Sequence, residues 1–255
     1  MKKTKVIIPA LGILLLSTAA SVTGTVAWFS ANSSVDATGM KVTALSSNLF
    51  LQIANSDGDS SNPSKTAAAA VTEAQDLFPV DYKSISSVDD AVWGKTTSND
   101  PSDPNYTLRD SLTTVQAADL DNYIWTDTFD FWVVASNGQT ADNLKLTSVT
   151  VTGSSDLAPA LRVLVVGDDA AMLWYNTNAS ENETALTGGI SVVNYKEAAT
   201  APTGFLKVVP NGQSNAATAR VYVYYCGNDD CVTTDRAQSL AELTVSLSFD
   251  VDHSA

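Results

Sequence analysis

The side chains that could do chemistry are few, and they are poorly spaced for it. The 255-residue chain has one histidine, His253, and two cysteines, Cys226 and Cys231, against 28 Asp and Glu. One imidazole cannot build a His-based zinc site. A Ser-His-Asp arrangement would have to use His253, in a C-terminal tail that is expected to fray. No His-Glu-x-x-His, Gly-x-Ser-x-Gly or phosphate-loop pattern occurs. Asp127 and Asp130 could be offered as the paired carboxylates of a glycosidase, but they flank a strand and read more simply as its exposed face. Asn55, Asp57, Asp59 and Ser61 have the spacing of the first half of a calcium loop. The twelfth position is Thr66 rather than Glu, and Gly58 falls at the wrong place, so a solvated loop is expected. The chain is therefore expected not to be an enzyme, with no catalytic residue, no metal and no cofactor.

The cysteines lie in Tyr-Cys-Gly-Asn-Asp-Asp-Cys-Val, 225–232. The spacing is wrong for a Cys-x-x-Cys redox motif. In an exported chain, such a pair across a Gly-Asn turn reads as a disulfide, Cys226 to Cys231, stapling the end of a hairpin. So short a loop gains little closure entropy, and the bond would pin local geometry more than global stability.

The chain is organised around its first 42 residues. Lys2, Lys3 and Lys5 form a basic start, and 6–20 are apolar. From 17 to 27 the residues become small and Thr-rich. Thr25 and Ala27 are small residues at the −3 and −1 positions of a cut before Trp28, the anatomy of a secretory signal peptide over 1–27. The apolar core of about 15 residues is short of the ~20 that a membrane-spanning helix needs. An uncleaved leader is the one route by which this chain would meet a membrane. After the cut come Trp28 and Phe29, two large apolar side chains without a local partner, then a polar linker over 30–39. Met40, Val42 and Leu45 begin an alternating run that reads as a strand. Two readings stand: a first strand packed on its own domain, or an arm over 28–45 whose apolar residues seat on another subunit.

Without 1–27, 228 residues remain, enough for one large β domain or two small ones. A hydrophobic content of 44% supports a packed core. The formal charge of −14 becomes −17 when the three leader lysines go. Such acidity disfavours nucleic acid and anionic membranes as partners and keeps the chain soluble.

Residues 48–54 alternate and could continue the first sheet. Residues 65–77 are Ala-rich, with high helix propensity, and stop before Pro79. From 80 to 112 the chain reads as irregular around an isolated Trp93, so about 55–122 is expected to be an insertion of loops and short helices. Regular alternation then resumes over 122–134, and over 144–152 with an irregularity near Ser148. A hairpin is expected from 161–166 and 171–175, and weaker strands at 191–195 and 205–209. Residues 219–225 place Val221 and Val223 on one face, Tyr222 and Tyr224 on the other. The cleanest alternation is 243–251. No 20–50-residue repeat and no βαβ rhythm occurs. The expected fold is all-β, an antiparallel β-sandwich of jelly-roll type over 46–255.

The junction TVAWFSANSSVDATGMKV resembles the leader-to-mature junction of the TasA/camelysin family of secreted Gram-positive proteins. Thr25-Val26-Ala27 stands for its cut site, Trp28-Phe29 for its aromatic, and Asp36 to Gly39 for the stretch before its first strand. Trp28 and Ala31 depart from the family pattern of a small residue before the Phe and an acidic residue soon after it. TFDFWVVASNGQTADNLKLTSVTV and the closing strand resemble the family more loosely. The resemblance implies a secreted biofilm-matrix fibre subunit at the cell surface. In that reading Trp28, Phe29, Met40, Val42 and Leu45 lie on a donor strand that completes the next subunit, so the main partner is the chain itself in a head-to-tail homopolymer. An accessory or anchoring protein would be a further partner. The alternative is a monomeric carbohydrate-binding jelly roll, with Trp93 or Trp174 as stacking platforms, and behind it a hydrolase.

Overall fold

The computed structural model describes residues 40–44, 50–55, 66–69, 76–95, 112–134, 140–152, 158–180, 190–196, 206, 216–232, 238–240 and 243–254. The chain divides into two compact units, Met1–Asp36 and Ala37–Ala255, and every described residue belongs to the second. The leader 1–27, the arm up to Gly39, and Leu45 lie outside the described residues.

In chain order the strands are β1 (Met40–Ala44), β2 (Phe50–Asn55), β3 (Thr66–Ala69), β4 (Asp76–Leu77), β5 (Asp81–Ser87), β6 (Asp90–Lys95) and β7 (Thr113–Thr114). They continue as β8 (Trp125–Val134), β9 (Thr140–Thr152), β10 (Leu161–Val166), β11 (Ala171–Tyr175) and β12 (Val192–Lys196). β13 (Ala217–Tyr225), β14 (Gln238–Ser239) and β15 (Thr244–Ser254) complete the order. The described helical residues are two 3-10 segments, Ala117–Asn122 and Ala158–Ala160.

Two larger sheets share one apolar core. The four-stranded sheet has the order β3-β1-β15-β9, and the six-stranded sheet β12-β11-β10-β13-β8-β2. Period-two alternation turns one face of each toward the other. Phe129, Phe131 and Val133 of β8 and Val221 and Val223 of β13 meet Leu144 and Leu146 of β9 and Leu247 and Phe249 of β15. The rings of Phe131 and Phe249 span the layers with centroids 4.7 Å apart. The irregularity expected near Ser148 is a register shift: Ser148 pairs with Ser248 and Leu146 with Phe249, so Thr147 is the extra residue. The Thr147 hydroxyl donates to the Ser248 carbonyl at 2.9 Å, which helps to hold the bulge.

The six-stranded sheet is buried on its other face as well. Leu164, Val166, Leu173, Tyr222 and Tyr224 point away from the first core and form a second one with Tyr82, Ile85 and Trp93. This is why β10 reads Leu-Arg-Val-Leu-Val-Val with no alternation and every residue buried. The cover is a three-stranded sheet, β5-β6-β7. Trp93 sits with its ring centroid 5.2 Å from Tyr222 and 5.0 Å from Tyr224. The hairpin turn is pinned by Tyr222, whose hydroxyl donates to the Val88 carbonyl at 3.2 Å, and by an Arg220–Asp89 ion pair at 2.8 Å.

Three expectations need correction. The Ala-rich run at 65–77 is not a helix where it is described: Thr66–Ala69 is β3, antiparallel to β1, and Asp76–Leu77 is β4, paired with β14. Pairing with a neighbouring strand overrides the helix preference of alanine. The stretch around Trp93 is a hairpin rather than an irregular insert. Residues 50–55 do not extend the first strand's sheet but pair with β8 in the other one.

Candidate functional site

Of the residues offered for leader cleavage (Thr25, Ala27 and Trp28) and for assembly (Trp28, Phe29, Met40, Val42 and Leu45), all but Met40 and Val42 lie outside the described residues. Met40 and Val42 belong to β1, seated between β15 and β3. β1 runs parallel to β15, with Met40 opposite Val245 and Ala44 opposite Phe249, and antiparallel to β3. It is an inner strand of its sheet rather than an edge.

The chemically dense region is the turn after β13. Asp229, only 1% exposed, faces Arg162, which is fully buried. Arg162 Nη2 donates to Asp229 Oδ2 at 3.1 Å, while Nη1 donates to the carbonyls of Pro159 at 2.6 Å and Leu161 at 3.2 Å. The Ser180 amide donates to Asp229 Oδ2 and the Cys231 amide to Oδ1, each at 3.2 Å. The Asp230 amide returns a bond to Ser180 Oγ at 2.7 Å. Asn228 Nδ2 donates to Asp81 Oδ2 at 2.9 Å, and the Val80 and Gly227 amides bond across to Tyr225 and Val80 carbonyls. One six-residue turn thus fastens together the start of β10, the loop after β11 and the third layer.

Electrostatics explains the charge states. Burial alone would raise the Asp229 carboxyl, but hydrogen bonds from the Cys231 thiol and amide and from Arg162 outweigh it and hold the group below its usual value. Burial and then the neighbouring Asp229 carboxylate push the Cys231 thiol up to about 12. A thiol so held stays protonated at neutral pH, which makes it a poor nucleophile.

The structure does not contain the Cys226–Cys231 disulfide expected from the sequence. Cys226 is buried in the second core, whereas Cys231 packs against the first. The two side chains therefore serve different cores, and the Asp229 carboxylate takes the Cys231 thiol as a donor.

The other sequence candidates are dispersed. Trp93 and Trp174 are 1% and 2% exposed, so neither can be a stacking platform for a sugar. Asp127 and Asp130 stand three apart on β8, hence on opposite faces. Asp127 accepts from the Thr128 amide at 2.7 Å and Asp130 from the Thr218 hydroxyl at 2.8 Å. His253 is not in a frayed tail: it lies in β15, in register with Ala141. Among the described residues, no group of three or more His, Cys, Asp or Glu could hold a metal ion. The Arg162–Asp229 pair was missed in the sequence, though a lone Arg inside an apolar strand signals a buried counter-charge.

No family model, no curated protein and no solved structure matches this chain.

Proposed function

We propose that the chain is a secreted structural subunit of an extracellular filament, a jelly-roll sandwich that polymerises after its leader is removed at Ala27. The reading rests on the seat of β1. The five-residue strand within the arm, β1, lies between β15 and β3, held there by backbone bonds on both sides. The same five residues from another copy would make the same bonds, so exchange between copies loses no contact. Backbone bonding supplies affinity, and the alternating Met40, Val42 and Ala44 supply register. An arm passed head to tail does not close on itself and builds a fibre.

The test is electron microscopy of 28–255 beside the same chain lacking 28–39, with circular dichroism to verify that both are folded. Filaments from the first alone support the arm. Equal filaments from both, or monomers from both, remove it. Thr43→Cys with Ser248→Cys, which are register partners, then reports the seat. Covalent ladders on a denaturing gel place β1 in a neighbour, and closure within single chains of assembled material overturns the exchange.

A further inference from the structure

We draw no further inference here: the strongest candidate, the row of hydroxyls on the outer face of the four-stranded sheet where Ser148, Thr150 and Thr152 of β9 stand opposite Ser248, Ser246 and Thr244 of β15, is a stripe of small residues, and nothing in the structure points to a ligand on it or shows what covers it.

Discussion

Asp229→Ala is the most informative single change. It leaves the Arg162 guanidinium fully buried, with two carbonyl acceptors and no counter-charge at Asp229. It also strips the Ser180 and Cys231 amides of their acceptor. Removing one partner of a buried pair costs about 3–5 kcal/mol. At roughly 2–4 °C per kcal/mol for a domain of this size, the midpoint should fall by roughly 6–20 °C. The pH dependence carries a sign. Asp229 has a folded-state pKa below its unfolded value of about 3.9, so its stabilisation is complete above that pH and fades as pH falls through the folded value. Thermal unfolding followed by circular dichroism, at pH 7 and then in steps toward pH 2.5, should show the gap between wild type and variant closing on the acid side. A loss under about 1 kcal/mol at pH 7, or a gap constant across the series, would refute the assignment of a net stabilising carboxylate. Arg162→Met combined with Asp229→Leu should recover most of the loss, because replacing both partners leaves no charge buried alone.

The remaining predictions concern packing and the thiols. Gly167→Ala should cost about 1–3 kcal/mol in urea unfolding, since a Cβ there would lie 2.3 Å from the Leu206 carbonyl oxygen, a backbone atom. An unchanged midpoint would mean that the backbone at Leu206 gives way freely. Trp93→Ala should cost about 3–5 kcal/mol and expose the β5–β6 hairpin to protease, whereas Asp89→Ala should stay within about 1 kcal/mol, because Asp89 is 79% exposed. Similar losses for the two would contradict the burial argument. Cys226 and Cys231 should resist an aromatic disulfide reagent at neutral pH and both titrate in urea. A native mass lower by two hydrogens would show them bonded instead.

What was legible in the sequence follows from how many faces a strand buries. β15 and β13 show their pattern because neighbours in sequence serve different environments: Val221 and Val223 face one core and Tyr222 and Tyr224 the other. The β10–β11 hairpin was legible because its pairing is local. The third layer was not. β5 and β6 pair with register shifts on either side of Ser84 and Ile85, which break the period that an alternation count relies on. Sheet membership was hidden for a different reason: β2 finds β8 across about a third of the chain, and β1 finds β15 across most of it. The Arg162–Asp229 contact was half visible, in the lone Arg of an apolar strand. Which of 28 carboxylates answers it is a question only the fold decides.

The β1–β15 pairing also sets an order of events. Met40 and Val245 are partners about 200 residues apart, so their pairing carries a large loop-closure delay. A chain made from its N-terminus presents β1 early and its long partner last of all. The six-stranded sheet, by contrast, can gather its β10–β11 hairpin as soon as that segment emerges. For the whole time taken to synthesise the intervening chain, the first strand has β3 on one side and no β15 on the other. Any competitor for it, whether a chaperone or a finished neighbour with an open place beside its own β15, has that interval in which to act.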